Sequence, residues 1–463
     1  MFLFPEFHLE EDVMNHRTIL FILYGIMLML GNLFAQEWGN NPVPLRLDEA
    51  IREAVDKNPL LQIALARVDA AESRITEARS ALLPQVRLSG RAGYLSEVPE
   101  FSLTLPLIGT QTLFPSIERN YGARFTVQQT LFTGFRVQKN LEMSEHNALA
   151  AGYDYGRDRS ELRLTVTTAY WNLYRARRLE QVLGLAVDQI SAHLEDVRNF
   201  RLQGIATDLD VLKVQTQLSD IQVKHTEAGG NAQIAQMSLN SLIGKPLETS
   251  LSLVDHPVTD DQSRGETDEQ VGSYMQRAQV SRMEVASAKE RLAMQKAAVA
   301  AAQGGWYPQV ILLGNYDYAR PNQRIIPPKD AWEKSWDIGV SVQWNLWDWF
   351  ATSSQTSQAQ AGLAQTEAMV RQVNDAVALE AAQSYFRVSE ARKRIELSSI
   401  GTKQAEESYR ITKERFKQGV STTTDLLDAE IALLQARLNE TQAVVDFVIQ
   451  KEKLSKALGG DTL

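Results

Sequence analysis

The chain contains no cysteine. Disulfide frameworks, thiolate metal sites and cysteine nucleophiles are thereby excluded. It also lacks a basic surplus: 57 Asp and Glu outnumber 48 Lys and Arg, for a formal charge of −9. Phosphate binding is driven mainly by Lys and Arg, so nucleic acid is not an expected partner. The Gly/Pro-rich linkers that usually separate domains are missing, although 463 residues would suffice for more than one ordinary domain. Catalytic signals are missing as well. The six histidines (His8, His16, His146, His193, His225, His256) are scattered without metal-ligand spacing, there is no phosphate-binding glycine loop, and no serine stands in a nucleophile motif. The methionines form no cluster suited to a soft metal. No enzyme activity, cofactor or metal site is expected.

Beyond the amino terminus, no segment is apolar enough for a membrane helix. The terminus itself reads as an export signal over residues 1–35. Asn15-His16-Arg17 is a short polar, basic lead, Ile19 to Leu33 is apolar, and Phe34-Ala35 precedes polar Gln36-Glu37. The apolar run is about 15 residues, short of the ~20 that span a bilayer. Cleavage is expected after Ala35, and Met14 is a candidate true start because Glu10-Glu11-Asp12 is unusual ahead of such a signal. No cysteine follows, which excludes amino-terminal lipidation.

What the chain does contain is a duplication. Residues 127–244 recur at 342–459 at a constant offset of 215, without a gap. Val127, Gln128, Leu131, Phe135, Tyr170, Arg177, Gly204, Thr207, Asp210 and Gly244 match Val342, Gln343, Leu346, Phe350, Tyr385, Arg392, Gly419, Thr422, Asp425 and Gly459. Upstream, Leu83-Pro84-Gln85-Val86 pairs with Tyr307-Pro308-Gln309-Val310 at an offset of 224. The nine-residue difference lies within 87–126, where FSLTLPLIGTQTLFPSIE reads as an irregular insertion. So long a period is not that of a stacked small-repeat solenoid. The halves are 36–244 and 268–463, joined by 245–267 with Pro246, Pro257 and a polar run.

Each half carries two segments that alternate with period two. Val86, Leu88, Gly90, Ala92 and Tyr94 alternate with Gln85, Arg87, Ser89, Arg91 and Gly93, and Trp336, Ile338, Val340, Val342, Trp344 and Leu346 alternate with Asp337, Gly339, Ser341, Gln343 and Asn345. Strands are expected at 85–98, 120–132, 309–319 and 335–347. Ten residues is the length of a transmembrane strand. A soluble sheet with one wet face shows the same alternation. Bracketing aromatics, including Tyr94, Tyr121, Phe132, Trp336, Trp347 and Trp349, tilt the balance toward a membrane girdle.

Between the strand pairs the pattern is helical. Residues 134–203 and 350–418 contain no proline, so each is expected as one helix of ~70 residues, about 105 Å long at 1.5 Å per residue. Such lengths need coiled-coil support. Leu162, Val166, Ala169, Leu173, Ala176, Glu180, Leu183, Val187, Ile190, Leu194 and Val197 supply a seam in steps of four and three. The second copy has Ser384, Ser398, Thr402 and Thr412 at equivalent places, so its seam is expected to be looser or rotated. Both helices end in the same punctuation, Gln203-Gly204-Ile205-Ala206-Thr207 and Gln418-Gly419-Val420-Ser421-Thr422. Glycine suits a left-handed cap and the hydroxyls suit the next helix start. Return helices are expected at 208–243 and 424–458, with shorter helices at 47–82 and 268–304 before the strands.

Spanning strands must close into a barrel, and four cannot close. Several copies must contribute, and a solute-wide lumen favours three. At this point the residues resemble the TolC-like outer-membrane efflux proteins. The likeness rests on the Asn58-Pro59 helix start, Leu82-Leu83-Pro84-Gln85-Val86 with its echo at Tyr307, Leu131-Phe132-Thr133-Gly134 before a long helix, and Phe416-Lys417-Gln418-Gly419-Val420-Ser421 followed by Asp425-Leu426-Leu427-Asp428-Ala429. It covers essentially the whole mature chain. The resemblance implies a mainly α fold with a β-barrel part: a homotrimer whose helical hairpins form an α-barrel through the periplasm and whose strands form a 12-stranded barrel in outer-membrane lipid. It also implies an export channel, in tripartite efflux or type I secretion, that docks a periplasmic membrane-fusion adaptor and an inner-membrane pump of the RND, ABC or MFS type. Drug, metal-ion and protein cargo all fit such a channel. Departures are Trp349 in the place of Gly134 and Arg282-Met283 in the place of Asn58-Pro59.

By the resemblance, Asp425 and Asp428 lie just inside the periplasmic entrance, with Asp210 matching Asp425 by the repeat. Rings of three carboxylates there would favour cations and raise one another's pKa. Helix-start acids favoured by the dipole are the plainer reading, preferred for Asp208. Gly204, Ile205, Ala206, Thr207, Gly419, Val420, Ser421 and Thr422 form the expected adaptor-docking tips. Some relatives carry a basic residue two places after the tip glycine, where this chain has Ala206 and Ser421, so packing around Phe416 and Phe200 is expected to hold the closed state. Two rival classes are a periplasmic adaptor scaffold, which would carry one hairpin instead of two, and a trimeric coiled-coil adhesin, whose strands would cluster at the carboxyl end.

Overall fold

The computed structural model describes residues 42–106, 109–257 and 270–460. The export signal, Met14 and part of the joining segment lie outside the described residues. The first half runs β1 (Val43–Leu45), α1 (Leu47–Lys57), α2 (Pro59–Ser80), β2 (Gln85–Tyr94), β3 (Phe101–Leu105), β4 (Gly109–Phe114), β5 (Arg119–Phe132), α3 (Arg136–Leu202) and α4 (Asp208–Leu242). After β6 (Leu251–Leu253), the second half runs α5 (Val271–Ser281), α6 (Met283–Gln303), β7 (Gln309–Arg320), β8 (Glu333–Gln343), α7 (Ala351–Lys417) and α8 (Thr423–Ala457). Helices α3 and α7 have 67 residues each, and α4 and α8 have 35 each. The duplication therefore conserves the length of every long helix, about 100 Å for the longest pair.

Within 101–118, Phe101–Leu105 and Gly109–Phe114 are regular strands. Strands β3 and β4 pair antiparallel, with Ser102–Thr112 and Thr104–Thr110 hydroxyl contacts at 3.2 and 2.9 Å on one face. Proline and glycine hide the alternation in the sequence, because the polar partners are threonines that suit strands as well as turns. Strand β2 stops at Tyr94 and β8 at Gln343, short of 98 and 347. The short helices also break where the sequence differs: Asn58 caps α2 by accepting from Leu60 N–H at 2.9 Å ahead of Pro59. Arg282 takes the equivalent extended cap before α6 without proline, held by Glu284 and Glu380 at 2.7 and 2.9 Å.

Strands β2, β5, β7 and β8 form one antiparallel sheet in that order. One face carries Arg124 paired with Asp317 at 2.6 Å, Thr126 bonded to Asn315, and Asn315 bonded to Asp337. The other carries Val86, Leu88, Trp336, Ile338, Val340 and Val342, all exposed. Among the described residues, no helix covers that apolar face. Among the described residues, no helix is long and apolar enough to cross a membrane.

Below the sheet the helices lie side by side. Near the strands the order is α2, α3, α6, α7, and toward the far end it is α4, α3, α8, α7. Between these levels β1 and β6 pair in parallel, and buried Tyr170 ties the belt by donating to Leu45 O at 3.1 Å while accepting from Asp255 N–H at 3.2 Å. Burial pushes the Tyr170 phenol up to about 12. The seam is buried on α3 at Leu162, Val166, Leu173, Leu183, Ile190, Leu194 and Val197. In the second copy Ser384 and Thr402 are buried, with Thr402 donating to Ala436 O at 3.2 Å, while Ser398 and Thr412 are half-buried.

The turn from sheet to long helix is built twice with different residues. Gly134 and Phe135 have φ of 64° and 67°, and Trp349 and Phe350 have 54° and 65°. A β-carbon on Gly134 would meet the Gly304 carbonyl oxygen and come within 2.8 Å of Tyr307 Cβ. Trp349 is exposed within the chain, so only the left-handed backbone opposes a side chain there. Gly134→Ala should therefore destabilise the protein by about 1–3 kcal/mol, whereas Trp349→Gly should hold or raise stability; urea unfolding of the detergent-solubilised protein measures both.

Candidate functional site: the hairpin tips

The α3–α4 and α7–α8 turns sit at the end of the molecule farthest from the sheet. Each begins with a glycine in the left-handed region, Gly204 and Gly419, both at φ 74°. Ile205 N–H donates to Phe200 O and Val420 N–H to Arg415 O, each at 2.9 Å. These bonds satisfy carbonyls that the helix end leaves open. Thr207 and Thr422 then cap the return helices in matching boxes. Asp210 N–H donates to Thr207 Oγ1 at 3.2 Å and Thr207 N–H to Asp210 Oδ2 at 2.9 Å. The second box repeats this at 3.1 and 2.9 Å between Asp425 and Thr422. Ile205 and Val420 project apolar side chains into solvent.

The two boxes explain the electrostatics of the acids. The Thr207 hydroxyl, then its N–H, holds Asp210 below the usual carboxylate range. The Thr422 N–H holds Asp425 low, helped by the Thr422 and Ser421 hydroxyls. Within one chain, capping thus opposes the upward shift expected of a carboxylate ring. Asp425 and Asp428 are exposed on α8, among buried Leu426, Ala429 and Leu433. Asp210 lies on α4, in the other hairpin. Asp208 pairs with Arg201 at 2.5 Å across the first tip, both side chains exposed.

Contacts between the hairpins run along the α3–α8 seam and include one cluster just behind the tips. Phe200 on α3 and Phe416 on α7 lie 5.3 Å apart between ring centroids, with Phe416 buried. The ring of His193 on α3 stands edge-on to Phe416 at 5.1 Å. His193 Nδ1 lies 2.9 Å from Glu430 Oε2 on α8, and both side chains are at most 3% exposed. Lys213 on α4 reaches Thr424 Oγ1 at 3.4 Å. His193 and Glu430 gave no signal in the sequence, because the repeat partners of the two positions are Ser408 and Gln215.

A sheet with two free edges and a bare apolar face, continuous with hairpins ~100 Å long, is one segment of a tube wall that passes from a membrane into water. The protein is of the channel-forming class. Residues 50–245 and 274–460 match the model of the outer membrane efflux protein family, and the chain belongs to that family. The outer membrane protein TolC of Vibrio cholerae is 25% identical over 436 residues, 93% of each chain. The Campylobacter jejuni CmeC outer membrane channel shares the fold with a TM-score of 0.77 at 16% identity, covering 89% of this chain and 85% of CmeC. VceC of Vibrio cholerae gives 0.75 at 20% identity, covering 89% and 96%. The protein is an outer-membrane efflux channel that extends into the periplasm.

The depressed acids set a sign for pH. A carboxylate whose pKa is lowered on folding stabilises above its unfolded value and loses that contribution as pH falls through the folded value. The first turns of α4 and α8 should stay ordered down to about pH 4 and fray below it, as amide hydrogen exchange at Asp210 and Asp425 would register. Opening of these turns already at neutral pH would contradict the capping geometry.

Proposed function

We propose that three copies of this chain close into one export duct, docked through its hairpin tips on a periplasmic membrane-fusion adaptor and an inner-membrane pump. Its strands sit in outer-membrane lipid. The observation that carries the reading is the pair of unpaired sheet edges, β2 and β8. Backbone groups at such edges cannot stay unpaired in hydrocarbon, so β8 of one copy meets β2 of the next. Three copies supply the twelve strands of a closed barrel. The edge helices support the same assembly: α4 exposes Leu209, Leu212, Val223 and Ile234, and α7 exposes Phe386, Leu397, Ile400 and Ile411. Apolar stripes of this kind are covered by neighbours in a finished assembly.

In that duct, Asp425 and Asp428 form acidic rings at the periplasmic entrance, where focused negative potential enriches cations. The glycine tips present Ile205 and Val420 to the adaptor. Detergent-extracted protein should run as a single trimeric particle at least ~100 Å long; a soluble monomer recovered from the periplasm would sink the reading. Gly204→Val with Gly419→Val should abolish export while trimers remain in the membrane, since a β-branched side chain disfavours the left-handed cap. In planar bilayers, Asp425→Asn with Asp428→Asn should lower cation selectivity and weaken block by divalent ions from the periplasmic side. Unchanged selectivity would leave both acids as helix-start residues only.

A further inference from the structure

On the polar face of the four-stranded sheet, the arginine of β5 and the aspartates of β7 and β8 are already matched. Arg124 holds Asp317 at 2.6 Å, and Arg324 holds Asp337 at 3.0 Å. Strand β2 places Arg87 and Arg91 on the same face, in register with Thr126 and Gly122 of β5. Both are exposed, and among the described residues neither has an ion pair or a side-chain hydrogen bond. Arg91 borders a recess that Gly122 and Ala319 leave beside Ser89 and the Arg124–Asp317 pair. Glu333, the remaining carboxylate of that face, stands at the outer end of β8, level with Arg91 but three strands away, about 14 Å at the usual strand spacing.

What a second copy brings to Arg87 and Arg91 depends on the register of β8 against β2. Within the chain, β5 meets β7 with Val127 opposite Gly314 and Thr126 opposite Asn315. Strand β8 repeats β5 at an offset of 215, and β7 repeats β2 at 224. Carried over to the junction between copies, the same pairing sets Val342 opposite Gly90, Val340 opposite Ala92 and Trp344 opposite Leu88 on the apolar face. On the polar face it sets Ser341 opposite Arg91, Gln343 opposite Ser89 and Asn345 opposite Arg87. Apolar residues thus meet apolar ones and polar meet polar, as paired faces require. Residues 344–347, which keep the alternation but have no strand partner within the chain, are also taken up. A slipped register with Gln85 opposite Gln343 would set Arg91 against Asp337 and leave residues 344–347 unused. It would also break the stagger already present, in which Gln85 is level with Leu313 and not with its own repeat partner Gln309. A barrel wall built from repeated units keeps one stagger throughout.

We propose that Arg87 and Arg91 of the assembled copies form a belt of guanidiniums inside the barrel that binds polyvalent anions. The inference rests on the channel reading above. In the register carried over from β5 and β7, the next copy contributes Ser341, Gln343 and Asn345 and no carboxylate, so the guanidiniums stay uncompensated. Their planar forks match phosphate-like oxygens, and the facing hydroxyl and amides add donors. Successive Arg87–Arg91 pairs stand four strands apart, about 19 Å around the wall. That separation lies within a Debye length of about 30 Å at 0.01 M salt and well outside the ~8 Å at 0.15 M. The belt therefore acts jointly at low salt, whereas each pair acts alone at high salt. Its sign is opposite to that of the acids at the hairpin tips.

The test uses purified full-length protein in planar bilayers, with inorganic tripolyphosphate added on the side opposite the tips. The wild type should be blocked at low salt and several-fold less at physiological salt. Arg87→Gln with Arg91→Gln should need several-fold more tripolyphosphate for the same block, whereas Arg87→Lys with Arg91→Lys keeps the charge and should keep most of it. Arg91→Gln alone, weakening the block in the same direction, serves should the double Gln variant assemble poorly. Asp425→Asn with Asp428→Asn should leave this block unchanged. The natural absence of cysteine lets the register be read directly. Gly90→Cys with Val342→Cys should yield covalent trimers on oxidation, and Gly90→Cys with Ile338→Cys, opposed only in the slipped register, should not. A conducting wild type that tripolyphosphate does not block, or a block that the Gln variants leave untouched, overturns the belt. So does linkage through Ile338 instead of Val342, or no linkage through Val342, since Arg91 then has another neighbour. Each of these leaves the channel reading intact as long as conducting trimers form. A wild type that neither forms trimers nor conducts overturns both.

Discussion

A strand edge cannot be left bare in hydrocarbon, where no water replaces the missing hydrogen-bond partner. Strands β2 and β8 end the sheet of a single chain with such edges, and most of the architecture depends on how they are closed. A sheet repeated around an axis needs strands of equal length and helices that leave it at equal angles. The duplication meets that need by holding α3 and α7, and α4 and α8, to the same lengths. The insertion that breaks the equality falls between β2 and β5, where β3 and β4 pair with each other outside the four-stranded sheet.

The same geometry is reached by different chemistry in the two halves. Gly134 is required because Gly304 and Tyr307 crowd it, while Trp349 meets no such neighbour and accepts a left-handed backbone. Asn58-Pro59 and Arg282 break their helices by a side-chain cap in one case and an ion pair in the other. The tips, by contrast, are near-identical: glycine, then threonine, then aspartate in the same box at both. Both tips meet the same backbone requirement, a left-handed glycine followed by a hydroxyl–carboxylate box, and meet it with the same residues.

Much of the fold was legible because its signals are local. Alternation at 85–94 and 336–343, the proline-free runs and the Gly-to-Thr punctuation each report a backbone state set by nearby residues. The hairpin at 101–114 escaped because its threonine faces and prolines mimic a loop, and the extra residues at the ends of β2 and β8 kept alternating after the ladder had stopped. The role of Asp425 was only half legible. Its place in an S/T-x-x-D start predicts a cap, and the structure shows that cap, but neither the cap nor the spacing says what the far side of the helix faces.

By itself the sequence determined the repeat, the helix lengths, the capped turns and the amphipathic strands, because each follows from residues close together in the chain. The tertiary structure decided which elements touch across the halves. His193 and Glu430 stand 237 positions apart, outside both the 215- and 224-residue registers, and Phe200 meets Phe416 across the hairpins instead of within one. Such contacts depend on the rotation of one long helix about its axis relative to another. That rotation is set by the sum of many packing contacts along the seam, and no single motif records it.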